Sequence, residues 1–491
     1  MSADDPRSRG RLLATTLDDG PKPAAAVVAF ARGTEPAILE SVVDHRNHGQ
    51  WSIFACDPVD VLVVGQQQRG DPFEALAERL TRTPIVENST ALPFAGGWIG
   101  YISYEAGARI ENIIPSSPAG TSLPRLRFAL YDSAAVFDHR ARRWHLVAVD
   151  WRHEGGLDRP GAKDRIERLH ERLRSAMSAG PPPAIRCAKE GAPTNDPASA
   201  CPCPSAPVPD WAPQEYIARV RAAKEYIAAG DIYEVNLTQR FVAQTETTPL
   251  RLYLNLRRTN PADYASLLAW DDCAVVSSSP ELFLNLHGRC VITRPIKGTR
   301  PRTGDGQLDP IRRRELADSE KDRAELNMII DLLRNDIGRV CEVGSVRVES
   351  AGDLETHPTV FHRVATITGR LRADHGAVDL LRATCPGGSI TGAPKIRAMQ
   401  IIDELETVQR GVYCGSIGYL GLDGDMVMNI AIRTMVLDRG KVHIHAGGAI
   451  VADSDPQDEY DETLAKAAGM FHALQSTAAP ATNRDRHISM R

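Results

Sequence analysis

The chain has no apolar run near the roughly 20 residues that a membrane helix requires. Its best candidate, residues 24–31, is short and follows Asp18, Asp19 and Pro21, so neither a membrane span nor a secretory leader is expected. Cysteine is sparse: nine residues, odd in number and scattered, which argues against a disulfide framework and for a reducing cytoplasm. Cys201-Pro202-Cys203 has no second pair at zinc spacing. Charge of one sign is not in excess either. The net charge is −5 at pH 7, without the basic surplus of a nucleic-acid-binding chain. A complete phosphate loop is also missing. Gly387 and Gly392 have the spacing, but Ala393 stands where the loop needs its lysine, which disfavours a nucleoside triphosphatase.

What is present is the profile of a globular protein with a sizeable core, 42% apolar and 25% charged over 491 residues. That length allows several average domains or one large two-layer domain. Residues 1–20 are polar and read as a disordered N-terminus. Residues 21–180 read as a strand-rich region, with short Val, Ile, Leu and Phe runs at 25–30, 61–64, 97–103, 127–137 and 146–149 and a helix over 164–177. Residues 181–212, rich in Pro, Ala, Ser and Gly, read as a linker and a domain boundary. Residues 213–478 open with an amphipathic helix capped by Gly230. Strands over 265–270, 273–277, 282–286 and 290–293 follow, with turns at Asp271-Asp272 and His287-Gly288. A long helix spans 319–338, another begins near Ala393, and a last covers 456–474; residues 479–491 read as a disordered tail. Strands and helices are segregated, which predicts an α+β fold: a large, layered antiparallel β-sandwich with helices on the outside.

Reactive residue types concentrate in Arg294-Pro295-Ile296-Lys297-Gly298-Thr299-Arg300-Pro301-Arg302. Pro295 fixes the chain before Lys297 and Gly298 frees it after. Arginines crowding an ammonium lower its pKa, so Lys297 reads either as a nucleophile or as part of a basic hairpin end in water. Glu281 begins a strand upstream. In a hairpin it would face the cavity of Lys297 as an acid, or form a plain salt bridge. Asp322 and Glu325 share one helix face, and Glu459 and Glu462 share another with Lys466 a turn beyond. One carboxylate from each helix suits Mg²⁺, which takes few carboxylates and keeps water and substrate oxygens; acids favouring a helix dipole are the plainer reading. The Gly-rich turn before Lys395 offers backbone N–H groups and the Thr391 hydroxyl to a carboxylate, or is an ordinary cap. Gly447-Gly448 lets backbone approach a ligand, and Arg433 suits a carboxylate or a structural partner. Tyr419 and His362 carry no message alone.

Ser279-Pro280-Glu281, Pro295-Ile296-Lys297-Gly298-Thr299, Arg334-Asn335-Asp336, Gly388-Ser389-Ile390-Thr391-Gly392-Ala393-Pro394-Lys395 and Glu462-Thr463 stand in the order they have in the chorismate-utilising enzymes. The chain resembles that family strongly over 213–475 and weakly before. The resemblance implies the family's layered fold, a cytoplasmic enzyme, chorismate as substrate and Mg²⁺ as cofactor. Within the family, Lys297 discriminates. Members that form anthranilate usually have Ala there, those that form 4-amino-4-deoxychorismate commonly Lys, and isochorismate and salicylate synthases place a lysine base where Glu234 stands. The chain is therefore similar to the branch that aminates chorismate at C4, a transferase step toward p-aminobenzoate and folate.

On that resemblance Glu325 and Glu462 hold Mg²⁺, with Asp322 and Glu459 behind it through water. Lys297 is the nucleophile, Glu281 the general acid, and His362 lies near C4. Tyr419, Arg433 and Gly447-Gly448 hold the enolpyruvyl carboxylate, and Thr391-Gly392 floors the site. Ser41 and Asn260 resemble the family's tryptophan pocket, either occupied or degenerate. The chain has no Gly-x-Cys-x-Gly elbow, so ammonia is expected from a separate glutaminase subunit acting on glutamine. The short stretch after Leu474 leaves no lyase, so another enzyme would release p-aminobenzoate. Rival readings are an anthranilate synthase component I and a non-catalytic regulatory subunit; the complete set Glu281, Lys297, Glu325 and Glu462 disfavours the second.

Overall fold

Helix positions follow the expected stripes. Glu320–Gly338 buries Leu326, Ile329, Ile330 and Leu333, and the Ser319 hydroxyl caps it by accepting from the Asp322 N–H at 3.2 Å. Pro456–Gln475 buries Thr463, Ala467 and Met470 at four- and three-residue spacing. The structure, a computed structural model, describes residues 10–43, 49–88, 90–151, 160–178 and 205–475.

Among the described residues two antiparallel sheets carry the fold. The first has 12 strands: Arg11–Leu17, Arg143–Asp150, Ser133–Asp138, Trp51–Ala55, Ala37–Glu40, Tyr264–Trp270, Cys273–Ser279, Thr434–Asp438, Lys441–Ile450, Glu234–Gln244 and Gly392–Ala393 in spatial order, with Val208–Pro209 beside Glu234–Gln244. The second has ten: Ile296–Pro301, Val360–Arg370, Cys290–Arg294, Leu282–His287, Met426–Asn429, Ser416–Gly421, Gly97–Ile102, Leu126–Tyr131 and Asp60–Val64, with Arg347–Thr356 beside Val360–Arg370. Ile53, Val136, Leu268 and Val436 from the first meet Tyr101 and Ile417 from the second in one buried cluster, the filling of a sandwich. Helices cover the outer faces: Pro456–Gln475 and Pro249–Thr259 lie on the first sheet, and Glu320–Gly338 lies on the second. The expected α+β sandwich is what forms. Among the described residues no helix is long and apolar enough to cross a membrane.

Three expectations are corrected. Residues 25–30 are not a strand but part of the helix Pro23–Phe30; Pro at its start and a run of alanines favour helix over an edge strand. Residues 11–17 are not disordered. They pair along Arg143–Asp150 as an edge strand whose Leu and Thr residues suit a half-buried surface. The boundary near 181–212 does not separate two domains. Ala37–Glu40 pairs with Tyr264–Trp270, and Gly97–Ile102 with Ser416–Gly421, so each sheet is built from both halves. A strand edge must find hydrogen-bond partners, and here they lie hundreds of residues away, beyond the reach of local composition. Trp211, assigned to the linker, is buried. Residues 181–204 and 479–491 lie outside the described residues.

Candidate active site

Lys297 lies in Ile296–Pro301, whose register against Val360–Arg370 slips between Ile296 and Thr299. Gly298 sits in the slip with φ +87; a Cβ there would lie 2.8 Å from Asp322 Cγ. Such a bulge re-aims its neighbours, and Lys297 is only 8% exposed. Its Nζ donates to Glu234 Oε1 at 2.6 Å. Glu234 is fully buried, and its second oxygen has no hydrogen-bond partner. Burial alone pulls an ammonium's pKa down, but Glu234, Glu325 and Glu281 outweigh it and hold Lys297 above the ordinary lysine value. The expectation of a lysine depressed by arginines is therefore wrong. Arg294 is neutralised by Glu355, Arg300 by Asp322 at 2.9 Å and Arg302 by Asp309 at 3.2 Å.

Glu281 precedes Leu282–His287, which forms the expected hairpin with Cys290–Arg294. Its Oε1 accepts from the Ser389 hydroxyl at 2.6 Å. Burial pushes the carboxyl up to about 7, against the downward pull of Ser389 and Lys297. A carboxyl poised there can hold a proton and release it. His362 lies opposite Thr299, its Nδ1 2.9 Å from the Thr299 hydroxyl. Burial first, then His357 and Arg433, hold His362 well below the ordinary histidine range, so it is a neutral imidazole. Arg433, at φ +50, reaches Asn260 Oδ1 at 3.4 Å. Among the described residues no carboxylate pairs with Arg433, and burial lowers its pKa. An uncompensated guanidinium suits a ligand's carboxylate.

Three carboxylates gather nearby. Lys321 acts on Glu325, Glu459 and Glu462 together, and Lys297 acts on Glu325 and Glu462. Burial holds Glu325 and Glu459 above the usual carboxylate range. Burial also raises Glu462, but Lys466, 2.6 Å away, more than offsets it. Lys321 Nζ stands 3.9 Å from Glu325 Oε1 and Lys466 Nζ 2.6 Å from Glu462 Oε1, so each carboxylate already has its own ammonium. The Ser454 hydroxyl donates to Glu459 Oε1 at 2.6 Å, while the buried Oε2 has no partner. A Cβ on Gly448 would sit 2.9 Å from that Oε2 and 3.5 Å from Glu462 Oε1. An all-oxygen donor set, an orphaned carboxylate oxygen and space floored by glycine fit a hard cation such as Mg²⁺ that brings its own water. Among the described residues no three His, Cys, Asp or Glu side chains form a cage by themselves, so the chain would supply only part of the coordination. Asp322 is engaged by Arg300 at 2.9 Å. A Gly448→Ala variant is expected to bind added Mg²⁺ about tenfold more weakly, read by titrating Mg²⁺ against the melting temperature.

The Gly-rich turn does not form an anion-binding helix end. Gly392–Ala393 pairs with Glu234–Val235, and a Cβ on Gly392, at φ +141, would lie 2.2 Å from the Glu234 carbonyl. The Thr391 hydroxyl donates to Gly387 O at 3.0 Å and its N–H to Gly388 O at 3.3 Å, which closes the loop on itself. The helix begins at Lys395 after Pro394, which has no N–H to offer. Gly447 fits its strand without room for a side chain, a Cβ falling 2.3 Å from Leu237 O, and its carbonyl accepts from Lys466 at 2.8 Å.

Tyr419 is not brought to Arg433. It lies in the sandwich filling with its ring edge-on to Phe94 at 5.3 Å, and Asp423 and Asp425 are the charges that act on it. Its face of Ser416–Gly421 is the apolar one, which strand alternation decides. Val42 N donates to Ala262 O at 3.0 Å, which draws the segments of Ser41 and Asn260 together; Asn260 links that corner to Arg433. Two contributors escaped the sequence reading. Glu234 and Lys297 are 63 positions apart and Glu281 and Ser389 are 108 apart, so no local pattern joins them.

These features match a known class. Residues 40–472 match the family model of chorismate binding enzymes, and the chain belongs to that family. It is 37% identical over 452 residues to the aminodeoxychorismate synthase component 1 of Klebsiella aerogenes, covering 89% of this chain and 93% of that one. It is 40% identical over 471 residues to the anthranilate synthase component 1 of Streptomyces coelicolor, covering 95% and 89%. The crystal structure of anthranilate synthase component I from Streptococcus pneumoniae shares its fold at a TM-score of 0.71 and 33% identity, covering 87% and 94%.

Proposed function

We propose that this enzyme makes 4-amino-4-deoxychorismate from chorismate and ammonia, as the larger component of a cytoplasmic pair whose other member is a glutaminase. Relatives with either product in their names lie at similar identity, so the site must decide. The observation that carries the reading is a buried amine at residue 297, 2.6 Å from one carboxylate and under the field of a second that titrates at about 7. The "component 1" in the names of both relatives supports a partner subunit.

In this reading Arg433 holds a substrate carboxylate. Glu234 takes the proton of Lys297 and frees its amine. The amine adds to the ring as the C4–O bond breaks, and Glu281 gives its proton to the departing hydroxyl, which leaves as water. Ammonia then bonds to C4 and the lysine departs, recovering its proton from Glu234, while Glu281 accepts the surplus proton of the incoming ammonia. Two displacements replace one difficult substitution. Neutral His362 and the Thr299 hydroxyl line the site without adding charge. Mg²⁺ bound by Glu325 and Glu462 would polarise and anchor the ring carboxylate.

The direct test is incubation with chorismate, Mg²⁺ and an ammonium salt, with the product identified by mass and by its conversion with a lyase to p-aminobenzoate. Anthranilate as the dominant product would sink the reading. Glu234→Gln isolates the proton step. It is expected to lower kcat about 100-fold, because the ammonium loses the carboxylate that takes its proton. An unchanged kcat would remove Glu234 from the mechanism.

A further inference from the structure

Away from the candidate active site, a cleft of about 290 Å³ opens between the loop after Asp60–Val64, the end of the helix Tyr104–Ile110 and the segment leading into Leu126–Tyr131. Arg69, Arg109 and Arg125 line it with glutamines 66, 67 and 409, and among the described residues no carboxylate is in its walls. The Nε atoms of Arg109 and Arg125 are both buried without an acceptor, and Arg125 as a residue is 9% exposed. Among the described residues Arg125 makes one side-chain hydrogen bond, Nη1 to Gln68 O at 2.8 Å, and neither arginine has an ion pair. Elsewhere in the chain the buried or half-buried arginines 127, 165, 300 and 410 each have their own carboxylate.

Among the described residues the acid that acts on Arg125 is Glu105, and its oxygens are spent on backbone: Oε1 accepts from Arg410 N at 2.8 Å and Oε2 from Gly411 N at 3.1 Å. The arginines are also held in place. Arg125 N donates to Val64 O at 2.9 Å, and Gln66 Nε2 pins the loop to Thr121 O and Leu123 O at 2.8 and 2.7 Å. Like charges set side by side over orphaned donors are unfavourable until an anion joins them. Burial and Arg109 both push the Arg125 pKa down, the direction that such crowding produces.

We infer that this cleft is a second binding site, for a small oxyanion of the phosphate or carboxylate type, held by Arg109 and Arg125 with Arg69 at its mouth. Guanidinium forks match such oxygens in pairs. The site is distinct from the one that holds chorismate, and it sits beside a structural relay. Gln409, in its wall, precedes Arg410, whose guanidinium donates to Ile390 O at 2.9 Å and Asn236 O at 2.6 Å, next to Thr391 and Val235 beside the candidate active site.

Inorganic phosphate is the probe. The full chain is melted across a phosphate series against chloride of matched ionic strength. The expected result is a saturating rise in Tm of about 2 °C or more. Arg109→Gln should abolish that rise, Arg109→Lys should weaken it, and Arg433→Gln should leave it intact, which separates the cleft from the active site. Arg109 lies at a helix end and is only partly buried, so its variants are expected to fold even if one at Arg125 does not. Equal phosphate responses in wild type and Arg109→Gln, loss of the response in Arg433→Gln, or no response beyond chloride would each overturn the assignment.

Discussion

Replacing Lys297 with alanine is expected to abolish formation of 4-amino-4-deoxychorismate, by about 1,000-fold or more in kcat. The covalent route needs an amine at this position, and no other lysine hydrogen-bonds to Glu234 among the described residues. What survives is direct attack by ammonia, so residual turnover should shift toward anthranilate. Mass analysis of the products with chorismate, Mg²⁺ and an ammonium salt reads both effects. The substitution also strands charge. Glu234, Glu281 and Glu325 lose the cation they share, and deleting one partner of a buried ion pair costs about 3–5 kcal/mol before protonation relieves it. A melting curve beside the assay separates a fallen Tm from lost chemistry. A folded variant that still makes the C4 amine at the original rate would end the nucleophile role.

The second large effect lies at Glu281. Glu281→Gln is expected to lower kcat by about 10²- to 10⁴-fold, the usual worth of a positioned general acid. In the unaltered enzyme its pH dependence has a definite sign. The carboxyl sits near 7 because burial outweighs Ser389 and Lys297. It can donate only while protonated, so turnover at a fixed concentration of free NH₃ should fall as pH rises through about 7. That limb should vanish in Glu281→Gln along with most of the rate. Ser389→Ala removes a hydrogen bond to the ionised carboxylate at 2.6 Å, so the limb should move to higher pH. A rate that climbs steadily to pH 9 in the unaltered enzyme would assign the proton to another group.

Much of the scaffold was readable in advance because it depends on neighbours in sequence. The stripe Leu326, Ile329, Ile330 and Leu333 sits on one helix face by periodicity alone. The hairpin around His287-Gly288 follows from two short apolar runs and a residue that tolerates φ +58. The order of the motifs from Ser279 to Thr463 pointed to the family, and the family model confirms it. The helix Pro23–Phe30 was misread because a short, wholly apolar run suits strand and helix alike. Tyr419 was placed with the substrate by resemblance, but the pleat of its strand turns it into the sandwich.

The sequence alone determined most of the strands and helices, though not Arg11–Leu17 or Pro23–Phe30, and that a lysine, an acid upstream and two pairs of helical carboxylates stand in a known order. Only tertiary structure decided that one half of the chain completes the sheets of the other, and which charge faces which. Lys297 was expected to be crowded by arginines; instead each arginine found its own acid, and the lysine came to rest on Glu234. Periodicity is short-ranged, set by rotation per residue, whereas the field at a buried group is summed over whatever the fold brings within a few ångströms of it.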